Sequence, residues 1–328
     1  MNFRTQVELP EKEINIRHSE RIALFGSCFS ENIGKLLVEN KFRCDVNPFG
    51  ILYNPMSIAE ALRQVLAKKE YGEADLFHAG GEWHSWLHHS DFSSETLDDC
   101  LAGINGRIRT LSDALPETDW LVVTWGTAYV YCLQATRQVV GNCHKQPDKL
   151  FSRRRLQVDE IVDTWKALLA ALKEVNPKLK VLFTVSPIRH AKDGMHGNQL
   201  SKSTLLLAID ALCSDCPDCH YFPSYEIVMD ELRDYRFYAD DMLHVSGKAV
   251  EYMWSCFARC YFGKETRQVM DAWEEIRKGL EHKPFNPDST AYRTFLSQIV
   301  LKIAQLKEKF PYLEVQKEME LCESRLKI

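Results

Sequence analysis

The chain has 328 residues, of which 45% are hydrophobic and 27% are charged. These fractions are typical of globular proteins, so the chain can bury a large core. Its 41 basic and 46 acidic residues give a formal net charge of -5 and form no basic stripe, which argues against a nucleic-acid partner. No apolar run approaches the roughly 20 residues of a membrane span, and the N-terminus has no secretory leader pattern. We therefore expect a cytoplasmic protein with no membrane partner.

The eleven cysteines have no disulfide-framework spacing, and several lie in apolar segments, so we expect reduced thiols. The run Cys213-x-x-Cys216-x-x-Cys219-His220 has a spacing compatible with zinc or an iron-sulfur cluster. Structural zinc usually draws on two paired ligand clusters, however, whereas these thiols join a helix end to a strand start. We therefore expect neither a metal nor another cofactor.

Short apolar runs alternate with helical patterns through the first 262 residues. The first run, 21–25, stops at Gly26 and precedes a helical stretch for which Ser30 is a plausible N-cap. Further strands are predicted at 43–46, 120–124, 180–185 and 220–222, and further helices at 56–69, 97–111, 158–175, 202–212, from Ser224 onward and at 247–262. This alternation predicts a mostly parallel sheet with helices on both faces, which is a three-layer α/β/α sandwich.

Two stretches depart from the alternation. Residues 71–100 are predicted to form an irregular surface segment, and a hairpin or insertion is predicted after the strand at 120–124. From 263 onward only helical patterns remain, so we predict an α/β domain at 1–262 and a C-terminal helical extension at 263–328. Its amphipathic pattern predicts packing on the main domain or in a homo-oligomer, through Ile299, Leu301, Ile303, Leu306 and Phe310.

A serine and a carboxylate-imidazole pair stand out as candidate catalytic residues. Ser27 follows a strand and opens a helix, which exposes its Oγ and directs backbone N–H groups toward a developing oxyanion. Asp241 and His244 are three residues apart and can share one face of a turn. Each feature alone is more often a helix cap or a surface turn. Together they predict a Ser27, His244 and Asp241 triad at the strand tips.

The run Phe25-Gly-Ser-Cys-Phe-Ser30 resembles the signature of the GSCFA family. The resemblance covers about residues 20–260 and continues through Asn47-Pro-Phe-Gly50, Trp125-Gly-Thr127, Ser186-Pro187, Tyr225-Glu226 and the stretch DELRDYRFYADDMLH at 230–244. That family is similar to the SGNH/GDSL hydrolases. The resemblance implies a flavodoxin-like sheet, a triad of Ser27, Asp241 and His244, and an oxyanion hole that includes Ser27 and the backbone N–H of Gly50.

One position departs from the SGNH pattern. Where those enzymes carry Gly-x-Asn-Asp, with the Asn donating to the oxyanion, this chain reads Gly126-Thr-Ala-Tyr129. Either Thr127, or Asn142 or His144 from the predicted insertion, supplies the missing donor, or the site works with two. Loss of one donor costs about 3 kcal/mol in the reaction barrier.

Aromatic and cationic residues near the predicted site are candidates for substrate binding. Trp83 and Trp86 lie in a histidine-rich stretch that suits either a sugar-stacking wall or a partly buried loop. Arg189 and His190 follow a strand. They could recognise a charge on the substrate or form a simple surface turn, and the sequence favours neither interpretation. Trp125 and His144 complete this predicted substrate-binding set.

Three classes of function remain open. The first is a hydrolase of O-acyl esters, with acetyl esters of carbohydrates as a favoured substrate because SGNH relatives often cleave them. The second is an acyltransferase on the same triad, and the third is a binding or scaffold protein without catalysis. Cys28 is an alternative nucleophile, since a helix N-terminus lowers thiol pKa values, although a buried structural thiol is the favoured interpretation.

Overall fold

A computed structural model describes residues 5–10, 14–286 and 288–326 of the chain. Its strands, in chain order, are β1 Arg21–Gly26, β2 Arg43–Val46, β3 Phe77–Ala79, β4 Glu82–His84, β5 Trp120–Trp125, β6 Tyr129–Leu133, β7 Val139–Val140, β8 Phe151–Arg155, β9 Lys180–Val185 and β10 Cys219–Phe222. Five of them form a parallel central sheet in the order β10-β9-β5-β1-β2.

Helices cover both faces of this sheet. They are α1 Cys28–Glu39, α2 Pro55–Leu66, α3 Leu97–Ala114, α4 Val158–Val175, α5 Gly194–Asp215, α6 Ser224–Glu226, α7 Gly247–Tyr261, α8 Lys264–Glu281, α9 Thr290–Lys309 and α10 Gln316–Leu326. Alternate residues of a strand point to opposite faces. Thus Ala23 and Phe25 of β1 pack in one core with α2 to α5, while Ile22 and Leu24 pack in the other with α1 and α7. The predicted three-layer sandwich is confirmed.

Some local predictions were wrong. The N-cap of α1 is Ser27, whose side chain accepts a hydrogen bond from the Phe29 N–H, so it is not Ser30. The Ser30 hydroxyl instead donates to Thr124 Oγ1 at 2.6 Å, which fastens α1 to the central strand β5. Helix α5 begins at Gly194, well before the predicted start at 202, and the short α6 continues into a π-helical turn at Ile227–Leu232.

Two insertions carry small antiparallel sheets. The segment 71–100, predicted to be irregular, contains the β3–β4 hairpin, and the predicted insertion after β5 forms a sheet in the order β7-β6-β8. The Gly141 N–H donates to the carbonyl oxygen of Trp86 at 2.7 Å. This hydrogen bond ties the two insertions together above the carboxyl ends of the central strands.

The C-terminal helices α8 to α10 have a hydrophobic core of their own, which includes Trp273 and Ile303. The indole N–H of Trp273 donates to the Glu39 carbonyl at 2.8 Å, and Lys41 pairs with Glu318 at 2.6 Å. A groove of about 1080 Å³ lies between these helices and the outer strand β2.

The amphipathic pattern of the extension is largely as predicted. Ile299, Ile303, Leu306 and Phe310 are buried, whereas Leu301 is half exposed and lies outside the packed face. Within the described residues, no helix combines the length and apolar character needed to cross a membrane.

Candidate functional site

A cleft of about 550 Å³ opens beyond the carboxyl ends of the central strands. This is where open parallel sheets bind their ligands. Six of the predicted site residues line it: Ser27, Thr127, Asn142, Arg189, His190 and His244. The rest of the wall comes from the loop before α2, the insertion after β5 and the segment between β9 and α5.

Ser27 lies at the floor of the cleft, at the junction of β1 and α1. Its Oγ accepts a hydrogen bond from the Phe29 N–H at 3.3 Å, and the residue is only 1% exposed. Gly26 makes the sharp turn possible, because it has a φ of +151° and an added Cβ would lie 2.4 Å from the Thr124 carbonyl oxygen. The first amide of α1, at Cys28, has no acceptor within the helix and is available to an anion.

Asp241 and His244 form a hydrogen-bonded pair on the loop before α7. The His244 Nδ1 lies 2.5 Å from Asp241 Oδ2, while Asp241 Oδ1 accepts the N–H groups of Leu243 and His244, both at 2.9 Å. The His244 side chain, followed by the two backbone donors, lowers the pKa of Asp241 to about 2. An ionised carboxylate can only accept, so Nδ1 carries the proton in this hydrogen bond and Nε2 is the nitrogen left for other contacts.

Arg189 supports the loop that carries this pair. Its N–H donates to the Leu243 carbonyl at 3.3 Å, its guanidinium donates to the Met242 carbonyl, and it lies 4.4 Å from the ring centre of Tyr238. Arg189 therefore lines the cleft and also supports the loop that carries Asp241 and His244.

Ser27 and His244 face the same cleft, but no hydrogen bond joins their side chains in the described structure. The predicted triad residues are thus brought to one site without the nucleophile-base contact. Such contacts are often long in free enzymes and shorten when substrate binds.

Gly50 does not take the predicted position in an oxyanion hole. Its N–H donates to the Asn47 carbonyl at 2.7 Å in a tight turn, and it is not among the residues that line the cleft. The prediction of Gly50 as a donor is corrected, because the amide already has an acceptor.

Two of the three side chains predicted to replace the missing Asn, Thr127 and Asn142, already have hydrogen-bond partners. Thr127 Oγ1 pairs with the Ser201 hydroxyl at 3.1 Å and accepts the Tyr129 N–H at 3.1 Å. The Asn142 side-chain amide donates to the Ser90 hydroxyl at 3.3 Å. Both residues line the cleft, and each side chain already has a hydrogen-bond partner outside it.

Four of the predicted substrate-binding residues do not line the cleft. Trp125 is completely buried against Trp165 and Phe183, and His144 is buried with its Nε2 2.8 Å from the Ser85 carbonyl oxygen. Trp86 stacks on Phe77 with ring centres 3.7 Å apart, and Trp83 packs against the main core. These predictions are corrected, because Trp125 packs in the main core and the other three side chains build and support the insertions.

Three residues that the sequence did not reveal shape the site. The Tyr53 carbonyl accepts the N–H groups of Gly126 and Thr127, at 2.7 and 3.0 Å. Lys202 is fully buried and donates to the Gly126 and Ser186 carbonyls, both at 2.6 Å. The sequence pattern that indicates burial of Lys202 is its position three residues before Leu205, on the apolar face of α5. The contacts of Tyr53 with Gly126 and Thr127 are made by its backbone carbonyl, so its residue type did not indicate them.

The third residue is Arg153, which belongs to the basic and aromatic rim of the cleft. Its guanidinium binds Asp193, with one contact at 2.8 Å, and lies 4.6 Å from the ring centre of Tyr129. Lys192 lies 5.1 Å from the ring centre of Tyr131. This part of the rim therefore carries aromatic rings and cations together.

Cys28 also lines the cleft, but its thiol is poorly activated. Burial raises its pKa, and a hydrogen bond from the Tyr53 side chain opposes this only in part. The thiol is the protonated, weakly nucleophilic form at neutral pH. No group of three or more His, Cys, Asp or Glu side chains within the described ranges is arranged to hold a metal ion.

Two family models match the chain. The model of the GSCFA family matches residues 21–257, which include Ser27, Asp241 and His244, and the model described as GSCFA domain protein, C-terminal domain, matches residues 273–328. A search of curated proteins gave no match. Because the first match covers well over half of its length, the chain belongs to the GSCFA family.

Proposed function

We propose that this protein is a serine-dependent hydrolase of O-acyl esters. The observation that carries the proposal is the pairing of His244 with an ionised Asp241 on the same cleft as Ser27. A serine is a weak nucleophile until an oriented base removes its proton, and this cleft holds both groups. The N-terminus of α1 adds a positive electrostatic potential beside the Ser27 hydroxyl.

In the proposed reaction, Ser27 Oγ attacks the ester carbonyl carbon while its proton passes to His244 Nε2. Asp241 stabilises the resulting imidazolium. When the tetrahedral intermediate collapses, the C–O bond to the alcohol breaks and His244 protonates the leaving oxygen. Water then attacks the acyl-enzyme by the same steps, which releases the acid and restores Ser27. To reach this geometry, the Ser27 hydroxyl breaks the hydrogen bond that it accepts from the Phe29 N–H.

The rim of the cleft supports an ester of a polar alcohol, such as an acetylated carbohydrate. Tyr129 and Tyr131 offer ring faces of the kind that sugars stack on, and Arg153 and Lys192 offer hydrogen-bond donors beside them. The two tryptophans favoured from the sequence, Trp83 and Trp86, do not contribute to this wall.

The test uses a fluorophosphonate probe and p-nitrophenyl acetate. Wild-type protein should hydrolyse the ester and take up one probe, which mass spectrometry of the peptides assigns to Ser27. Ser27→Ala should lose both activities, whereas Cys28→Ser, a change at the neighbouring residue on the same cleft, should keep them. Absence of labelling in wild-type protein, or full activity in Ser27→Ala, would overturn the proposal.

A second candidate, acyl transfer, is favoured by the depth of Ser27. At 1% exposure the nucleophile is shielded, and a shielded acyl-enzyme favours a bound alcohol over water as acceptor. The cleft volume of about 550 Å³ is within the range of sites for molecules of drug size. If transfer is the reaction, added glycerol or glucose should accelerate nitrophenol release and yield the acetylated alcohol.

A further inference from the structure

The proposed reaction needs hydrogen-bond donors at the developing oxyanion, and the cleft is short of them. The N–H of Gly50 donates to Asn47, and the side chains of Thr127 and Asn142 each already have a hydrogen-bond partner. The amides of Gly126 and Thr127, which follow the central strand, both donate to the Tyr53 carbonyl. Of the backbone groups around Ser27, the amides at the start of α1 remain.

His190 has the free group that the site lacks. It lies between β9 and α5, where its backbone N–H donates to Asn198 Oδ1 at 3.0 Å. Its side-chain Nε2 is buried and has no hydrogen-bond partner in the described structure. Buried polar atoms are rarely left unpaired, and those that are often have a functional role.

The position of this nitrogen relative to Ser27 follows from Gly126. A Cβ built on Gly126 would lie 3.4 Å from His190 Nε2 and 3.5 Å from Ser27 Cβ. Gly126 therefore leaves a small space bounded by the nucleophilic residue on one side and the imidazole on the other. The carbonyl oxygen of an ester attacked by Ser27 would lie next to this space.

The surroundings keep the imidazole neutral. Burial, reinforced by the nearby charge of Lys202, lowers the pKa of His190 to about 4. A neutral imidazole carries one N–H and can donate through Nε2 without competing with His244 for the proton of Ser27. Lys202 also acts as a positioning residue, because it holds the carbonyls of Gly126 and Ser186 on either side of the site.

We propose that His190 is a catalytic residue that donates its Nε2–H to the oxyanion and so takes the place of the Asn that SGNH enzymes use. This inference rests on the proposed function. As the Ser27 Oγ–C bond forms, the electron pair of the carbonyl π bond moves to oxygen, and the His190 N–H stabilises that charge together with the Cys28 amide. His190 gives up no proton in the step.

The test compares two substitutions at this residue. His190→Leu removes the donor at similar volume, whereas His190→Gln places an amide N–H near the position of Nε2. Loss of an oxyanion donor lowers kcat by about 10²–10³-fold with little effect on KM. We expect this loss in His190→Leu and recovery of most of the activity in His190→Gln. His78→Leu, an exposed histidine on β3 away from the cleft, is the matched control.

A second measurement separates transition-state stabilisation from a structural role. An alkyl boronic acid that bonds to Ser27 mimics the tetrahedral intermediate, and its affinity should fall in His190→Leu in proportion to kcat. Unchanged kcat and boronate affinity in His190→Leu, with active wild-type protein, would overturn the role of His190 alone. An equal loss in both variants accompanied by a lower Tm would also overturn it. Inactive wild-type protein would overturn the proposed function itself.

Discussion

The buried ammonium group of Lys202 donates to the carbonyl oxygen of Gly126 at 2.6 Å, directly behind the proposed oxyanion site. An equally short bond to Ser186 joins the ends of β5 and β9 through one side chain. Burial lowers the pKa of Lys202 to about 7 from its ordinary 10.5. The proposed site is therefore supported by Lys202, an ammonium group whose charge is costly to bury.

Lys202→Met should remove a pH dependence of stability. Because the pKa of Lys202 is lower in the folded than in the unfolded protein, the unfolded state binds more protons between about pH 7 and 10.5. This group therefore makes the wild-type protein gain stability as pH rises through that window, by up to about 1.4 kcal/mol per pH unit. Urea unfolding at pH 7, 8, 9 and 10 measures the gain relative to Lys202→Met. Parallel stability curves for the two proteins would contradict the prediction.

Asp241→Asn should lower kcat by roughly 10³–10⁴-fold without a large loss of stability, as is seen when the carboxylate of a triad is replaced. An amide at this position can donate to His244 Nδ1 and so favours the tautomer in which Nε2 is protonated and cannot act as a base. The side chain is about half exposed, so the fold should tolerate the change. Asp240→Asn, at the neighbouring exposed carboxylate, is the control and should keep full activity. Comparable rates for the two variants would exclude a role for Asp241.

Gly126→Ala should impair catalysis more than folding. The new methyl group would lie 3.2 Å from the Tyr53 carbonyl oxygen and would fill the space between His190 and Ser27. We expect kcat to fall by at least about tenfold if the methyl displaces the oxyanion from one donor. Gly106→Ala, where an added Cβ meets nothing within 4 Å, should leave kcat unchanged. Rates of ester hydrolysis and values of Tm for both variants show whether the methyl group at residue 126 impairs catalysis more than folding.

Acid should destabilise the protein through its buried histidines. Burial lowers the pKa of His88 to about 3 and that of His18 to about 4, so folding favours their neutral forms. Their contribution to stability is complete above pH 6.5 and is lost as pH falls toward these lower values. His88→Leu should flatten the pH dependence of unfolding between pH 6.5 and 4 by up to about 1.4 kcal/mol per unit. His78→Leu, on the surface, should leave it unchanged.

The strand ends that build the site could be predicted from sequence, because short apolar runs followed by glycine mark them clearly. Ser27 at the junction of β1 and α1 follows from this local pattern. The prediction of Trp125 as a substrate-binding residue was wrong, although the alternation of side chains along a strand argues against it. Trp125 lies on the same face of β5 as Leu121 and Val123, so its side chain points into the core.

The donors of the cleft depended on contacts that no local pattern contains. From sequence alone the Gly50 N–H could donate to an oxyanion, but in the folded chain it donates to the Asn47 carbonyl in a tight turn. Lys202 reaches Gly126 across 76 positions of sequence, and the free Nε2 of His190 results from the packing of three separate segments. The succession of strands and helices along the chain could therefore be predicted, whereas the hydrogen-bond partners of the cleft residues could not.

The C-terminal helices lie beside the outer edge of the central sheet. Strand β2 is the outer strand of the sheet, and an uncovered outer strand can recruit strands from other molecules. Here α9 and α10 lie alongside it, the Lys41–Glu318 ion pair anchors them, and Arg107 binds Asp45 on the strand itself. We therefore expect the extension to restrict the approach of strands from other molecules to this edge, a role independent of any chemistry at Ser27.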